Sequence, residues 1–350
     1  MTRALVCTAF GLPDTLALRE IDVGRPGPGE VLVDVAAAGL NHSDALMVQG
    51  HYQLKPPLPF VPGAEMAGTV VEVGAGVERL QPGQRVVASG LGAFAARCLV
   101  DARRTLALPD AIDFDTASVL TLTPSTALHA LADRARLQPG ESLLVLGGAG
   151  GVGSAAIQIG RALGGYVIAA ASTDAKRELC RRLGADEVIE AAPDGWRGRI
   201  DELTAGRGVD VVVDPVGGTA TAAALRCLAW RGRLLLVGYA SGAMPQVEAR
   251  HLLLRERSLL GVYLGDTIAN DLGGQRRRVR QLIDWCVDGD LAPTIRLIDA
   301  AGGTVLEGNA AASNAVIPRI TLPASGLYTL VVGRASGSGG FILALAQRSE

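Results

Sequence analysis

Long apolar runs, clustered cysteines and an excess of either charge are what this 350-residue sequence lacks. No stretch of about 18 consecutive apolar residues occurs, so no membrane-crossing helix is expected. The five cysteines, Cys7, Cys98, Cys180, Cys227 and Cys286, are too scattered for a zinc knuckle or a redox pair, and buried reduced thiols are expected. The N-terminal MTRALVCTAFGLPDTLALREIDV has no sustained apolar core before a small-residue cleavage site, so a cytoplasmic protein is expected rather than an exported one. With 33 basic residues against 35 acidic ones the formal charge is −2, which argues against nucleic-acid and polybasic membrane partners.

What is present is apolar mass and glycine. Hydrophobic residues make up 49% of the chain, and its length is ample for a sizeable core and about two domains. The 45 glycines and 17 prolines show no collagen-like period, so the backbone is expected to turn often or to approach something closely.

Residues 1 to about 120 read as short β-segments, EVLVDVAAAG, EMAGTVVEVG and QRVVASG, separated by turn signals such as RPGPGE and QPGQ. From about 121 the apolar runs SLLVLGG, YVIAAAS, VDVVVDP and RLLLVGY are each followed by a helix-compatible segment, which predicts βαβ units on a parallel sheet. A further helix is predicted over RRRVRQLIDWCVDG. Beyond Pro293 the chain turns small-residue-rich, with β-like pieces ITLPASGLYTLVVG and GFILALA.

Gly148, Gly150 and Gly153 form G-x-G-x-x-G directly after a predicted strand and before a predicted helix. Glycines there allow a tight turn and close approach to a pyrophosphate lying on the helix N-terminus, so Gly148, Gly150, Gly151, Val152 and Gly153 are expected to bind a dinucleotide. About 20 residues on, where an NAD site places a carboxylate, stand Ser172, Thr173, Asp174, Ala175, Lys176 and Arg177. A hydroxyl followed by cations suits a 2′-phosphate and favours NADP, with Ser172 and Lys176 as ligands. A one-residue shift would instead let Asp174 face the ribose, as in an NAD site.

The succession AGLNHSD, PFVPGAEMAGTVVEVG, LLVLGGAGGVG, VDVVVDPVGG and GRLLLVGYASG resembles the medium-chain dehydrogenase/reductase superfamily, and within it the zinc-independent NADPH:quinone oxidoreductase branch. The resemblance runs from residue 1 to about 294. It implies an α/β protein with a GroES-like β-rich catalytic domain over 1–122, to which 265–294 partly return, and a Rossmann doubly wound parallel sheet binding NADPH over 123–264. It also implies a homodimer acting on a small-molecule substrate. Where zinc-using relatives carry Cys and His ligands this chain has Asn41 and Ala64, so no catalytic zinc is expected. His42 and Glu65 stand nearby as the remaining candidate donors, while His51, His129 and His251 have no ligand-like spacing.

The same resemblance assigns Tyr52 as a phenolic donor at the substrate mouth, with packing under the Pro-rich loop as its alternative, and Asn41 as a second polar group. It places Thr123, Thr126, Tyr239 and the run Val262, Tyr263 and Leu264 beside the nicotinamide. Asp214 reads as a turn former before Pro215, and Arg276–Arg280 as a solvated helix face. Residues 295–350 break the family pattern. They resemble part of a bacterial pre-peptidase C-terminal domain and form a β-rich appendix where the family closes its catalytic domain. Such a tail either supplies substitute strands or leaves an open edge, the second giving an NADPH-binding protein with little or no catalysis.

Overall fold

The computed structural model describes residues 1–298, 304–309 and 332–333. One unit comprises Met1–Leu122, Val279–Val287 and the described residues from Ala292 onward; the other comprises Thr123–Arg278 and Asp288–Leu291.

In the first unit β1 (Thr2–Cys7) pairs antiparallel with β2 (Leu16–Ile21). There follow β3 (Glu30–Gly39), α1 (His42–Val48), β4 (Glu65–Val73), β5 (Arg85–Ser89), β6 (Arg97–Asp101), β7 (Thr105–Ala107) and a short helix α2 (Phe114–Ala117). β3 is hydrogen-bonded antiparallel to both β4 and β6, and the ladder continues through β5 to β7. Every second residue of β3, Val31, Val33 and Val35, faces one core with Met66, Val70, Val86 and Ala88. The two-residue period of a strand thus aims its β-branched residues at a single face.

The second unit opens with α3 (Thr123–Leu128), which widens into a π-helical turn over His129–Ala135. Then come β8 (Ser142–Val145), α4 (Gly151–Ala162), β9 (Tyr166–Ala171), α5 (Asp174–Arg182), β10 (Glu187–Glu190), α6 (Pro193–Leu203), β11 (Val209–Asp214), α7 (Gly218–Cys227) and β12 (Leu228–Leu236). The unit continues with α8 (Arg250–Leu253), β13 (Ser258–Gly261), α9 (Leu264–Asn270) and the first turns of α10 (Leu272–Asp288), whose Val279–Val287 belong to the first unit. The six strands are parallel in the order β10-β9-β8-β11-β12-β13. Numbered within the sheet this is 3-2-1-4-5-6, the Rossmann order, and the direction of winding reverses between β8 and β11. Continuous apolar runs rather than alternation mark these strands, because both faces are covered: Leu143, Leu144 and Val145 are all fully buried.

The solvated face expected for Arg276–Arg280 does not hold at Arg278, which is buried. Its Nη1 donates to Asp133 Oδ2 at 2.6 Å and its Nε to Gln275 Oε1 at 3.3 Å, so an ion pair with the π-helical turn draws it inward. All five cysteines are free, four of them buried.

In the tail, β14 (Thr294–Ile298) pairs antiparallel with β15 (Thr304–Asn309), and β16 (Val332–Gly333) pairs antiparallel with β3 opposite Ala37 and Ala38. The rest of the β-rich appendix expected over 295–350 lies outside the described residues.

Candidate functional site

The glycine run sits at the switch point, between the carboxyl end of β8 and the first turn of α4. Gly150 is the helix N-cap, and its amide donates to Gly147 O at 2.8 Å, which closes the turn. The turn depends on Gly147, which has φ +59°. A side chain at Gly153 would overlap Gly147 O, and one at Gly148 would meet Cys180 Sγ at 2.9 Å. Gly153 therefore seats the helix against the loop, while Gly150 and Gly151 stay exposed at the open end of α4. The first-turn amides of Gly151, Val152 and Gly153 have no carbonyl one turn earlier to bond, and with the helix dipole they favour an anion. Sequence reasoning overlooked Gly147; its signal was the doubled glycine ahead of the motif.

β9 lies beside β8 in the sheet, so Ser172 emerges next to the loop. Lys176 Nζ reaches Ser172 Oγ at 3.5 Å, and Thr173 caps α5 by accepting from the Lys176 amide at 3.2 Å. Arg177 is committed elsewhere, donating to Ala171 O at 3.1 Å and to Asp174 Oδ1 at 2.6 Å. Asp174 is thereby engaged by a cation, and Ser172 with Lys176 is the open hydroxyl and ammonium of this corner.

Thr123 begins α3, and its Cγ2 would lie 3.1 Å from a Cβ on Gly151, which puts it against the loop; Thr126 is three residues further along the same helix. Tyr239 follows β12 and packs beside Gly217, with 41% of its surface exposed. Val262, tied by its amide to Leu236 O at 3.0 Å, leads into Tyr263 and Leu264 at the start of α9. All these residues follow carboxyl ends of parallel strands or flank the glycine loop, the edge where open α/β sheets hold ligands. Asp214 is spent on its own turn: Oδ1 accepts from the Val216 and Gly217 amides at 2.9 Å each, and Oδ2 from Thr221 Oγ1 at 2.5 Å.

A second polar cluster belongs to the β-rich unit. Asn41 caps α1, and its backbone amide donates to Asp44 Oδ2 at 2.8 Å. Its side-chain Nδ2 donates to Glu65 Oε1 at 2.8 Å. The other Glu65 oxygen accepts from the Thr121 amide, the Thr121 hydroxyl and the Leu122 amide, each at 3.0 Å. Glu65 stands opposite Gly39 in the β3–β4 register, and a Cβ on Gly39 would come within 2.5 Å of Glu65 Oε1, so that glycine makes room for the carboxyl.

Burial pushes the Glu65 carboxyl up to about 7, against the pull of its donors and with a further push from the Asp44 charge. Burial likewise raises Asp44 to about 7, against the Asn41 amide. Asp44 Oδ1 is buried without a hydrogen-bond partner; the Gly63 amide faces the carboxyl but makes no bond of ordinary length and angle to it. Both Glu65 oxygens accept from donors, whereas Asp44 accepts only at Oδ2, so of the two carboxyls Asp44 is the better place for a proton. The sequence analysis singled out Asn41 but overlooked Asp44, Thr121 and Gly39; the spacing N-x-x-D of a helix cap was the available signal for Asp44.

Tyr52 is half-buried and packs against Cys7, Met47, Val48 and Phe60. It lies just past the carboxyl end of α1, whereas Asn41 is at the amino end, so the two residues assigned to the substrate are set apart by a seven-residue helix about 10 Å long.

The chain matches two family models, the alcohol dehydrogenase GroES-like domain over residues 27–110 and the zinc-binding dehydrogenase domain over residues 151–288. It is 36% identical over 293 residues to quinone oxidoreductase-like protein 2 of Rattus norvegicus, covering 83% of each chain. Among solved structures it is similar to mycobacterial Rv1454c complexed with NADPH, with TM-score 0.77 and 34% identity, covering 83% of this chain and 90% of that one. It is also similar to Escherichia coli quinone oxidoreductase complexed with NADPH, with TM-score 0.74 and 29% identity, covering 83% and 88%. The donor set here does not fit the zinc that one family description implies. Position 41 offers an amide already given to Glu65, position 64 a methyl group, and the Glu65 oxygens are taken by donors. Among the described residues no three His, Cys, Asp or Glu side chains gather to hold a metal ion. Matches that span both units, at this identity and coverage, place the chain in the quinone oxidoreductase branch of the medium-chain dehydrogenase/reductase superfamily.

Proposed function

We propose that this protein is an NADPH-dependent, zinc-independent reductase that delivers hydride to quinones or to α,β-unsaturated carbonyl and enoyl-thioester acceptors. The observation that carries this reading is the glycine loop at the switch point, flanked on one edge by Thr123 and by the Ser172 and Lys176 corner. The amides of Gly151, Val152 and Gly153 hold the pyrophosphate, and Ser172 with Lys176 holds the 2′-phosphate. Thr126, Tyr239, Val262, Tyr263 and Leu264 border the nicotinamide, which supplies the hydride when bound. Without a Lewis acid the acceptor must be activated by orientation and hydrogen bonding, which suits molecules whose developing charge spreads onto one oxygen. The Tyr52 phenol is the donor assigned to that oxygen, and Asn41, held by Glu65 at the other end of α1, is a second polar group for the substrate. The β13 strand is an edge of its sheet, which supports a homodimer formed through that edge. Among the described residues no helix is long and apolar enough to cross a membrane, and a cytoplasmic location is part of the same proposal.

The test follows NADPH oxidation by absorbance with a benzoquinone and with a crotonyl thioester, with and without chelator. The expected result is turnover of at least one acceptor, indifferent to chelator; alcohol oxidation that chelator abolishes overturns the reading. A second reading, NADPH binding with little turnover, is favoured by one observation: among the described residues the tail offers β3 a ladder of only Val332 and Gly333. NADPH binding of ordinary strength without turnover of either acceptor would select it.

A further inference from the structure

Five arginines surround an open cavity of about 370 Å³ in the parallel-sheet unit. Arg197 comes from α6, Arg226 from the carboxyl end of α7, Arg250 from α8, and Arg255 and Arg257 from the segment entering β13; His251 and Leu254 complete the wall. Such a gathering stands out in a chain whose formal charge is −2. Two of the five have carboxylate partners, Arg197 with Asp201 at 2.7 Å and Arg250 with Glu248 at 2.7 Å. Among the described residues Arg226, Arg255 and Arg257 have none, which leaves three guanidinium charges uncompensated there.

Part of the cluster serves the fold. Arg197 Nη1 donates to Arg226 O at 2.5 Å, and Arg257 Nη2 donates to the same oxygen at 3.4 Å and to Leu228 O, so two cations cap the negative end of α7. Arg257 is nine-tenths buried, with Nε on Ala229 O at 3.3 Å. Burial, then the charges of Arg255 and Arg197, hold its guanidinium below the ordinary arginine range. Neutral carbonyls do not offset that repulsion, and helix capping gives no role to the side chains of Arg226, Arg250 or Arg255. The cavity also lies away from the glycine loop: it borders the amino ends of β12 and β13, whereas the loop follows the carboxyl end of β8 in the same parallel sheet.

We propose that this cavity is a second anion site, separate from the dinucleotide loop, for a small molecule bearing two or three linked phosphates. Guanidinium forks pair bidentately with phosphate oxygens, and three uncompensated charges match a di- or triphosphate. The volume falls in the range of small-molecule sites, and Leu254, 76% exposed, supplies an apolar wall.

The test is equilibrium binding of tripolyphosphate and of ATP to the full chain already saturated with NADP⁺. One saturable site is expected, retained in the presence of NADP⁺ and weakened about tenfold or more by R226A/R255A, which removes two charge-assisted partners. Both side chains are exposed and among the described residues bond no backbone, so NADP⁺ affinity and thermal unfolding of the variant should match the parent. Absence of saturable binding, displacement by NADP⁺, or an affinity unchanged in R226A/R255A overturns the proposal. Citrate bound as tightly as tripolyphosphate overturns the assignment to phosphate.

Discussion

The glycine loop between β8 and α4 and the carboxyl cluster between α1 and β4 solve the problem of charge in different ways. The loop is made by removing side chains, so that backbone amides and a helix dipole meet an anion at an exposed helix end. The cluster is made by burying side chains, with two carboxyls out of water and donors from two separate stretches of chain around one of them. The loop holds its charge from outside, so its failure appears first in binding. Charge in the cluster belongs to the protein, so its failure appears in stability and in pH dependence.

The largest expected effect breaks the loop. Gly153→Val drives a side chain into Gly147 O, and we expect NADPH affinity to fall about 100-fold, with a loss of about 3 kcal/mol in stability from the overpacked helix start. Cofactor titration and denaturant unfolding measure the two. Glu65→Ala attacks the cluster instead: it strands the Asn41 side-chain amide and the Thr121 and Leu122 backbone amides, for an expected loss of about 3 kcal/mol read from the unfolding midpoint. Loss of stability with NADPH affinity preserved would sharpen the contrast, whereas a tolerated Glu65→Ala would break it.

Titration separates the two regions further. Folded-state values near 7 for Glu65 and Asp44 lie above their ordinary 4.5 and 3.8, so between about pH 4 and pH 7 the folded chain holds more protons than the unfolded one. Their stabilising share is therefore complete below the ordinary values and is lost as pH rises through about 7. Asp44→Asn keeps an oxygen for the Asn41 amide and is expected to flatten this decline, as seen in unfolding curves across the window. An unchanged slope would show that Asp44 does not carry the proton.

Smaller effects test the cofactor corner and the phenol. Lys176→Ala is expected to raise KM for NADPH about tenfold and leave NADH untouched, while Arg177→Ala, already paired with Asp174, changes the ratio little. Tyr52→Phe keeps the packing on Met47 and Phe60 and removes the phenolic donor, so kcat should fall by less than about tenfold. If both kinetic constants are unchanged, Tyr52 is a packing residue.

The sequence made the loop legible because its chemistry is local: strand, glycines and helix are contiguous, and only the role of Gly147 waited for φ. The carboxyl cluster was only partly visible. Asn41 stood out as the residue in place of a zinc ligand and Glu65 as a nearby donor, but their bond to each other was not visible, since the contacts that fix Glu65 come also from Thr121 and Leu122, more than fifty positions away. Arg278 failed for a related reason: a run of arginines on a helix reads as solvated until another element supplies Asp133. Parallel strands were easy to read, as apolar runs buried on both faces, whereas the two-residue β16 pairing with β3 carries no pattern at all.

The most direct test of the central claim is the rate of NADPH oxidation by a benzoquinone with chelator-treated protein, compared with its Gly153→Val variant. The account predicts that chelator leaves the parent rate unchanged and that the variant loses it at the same NADPH concentration. A parent rate that collapses with chelator and returns with zinc would contradict it.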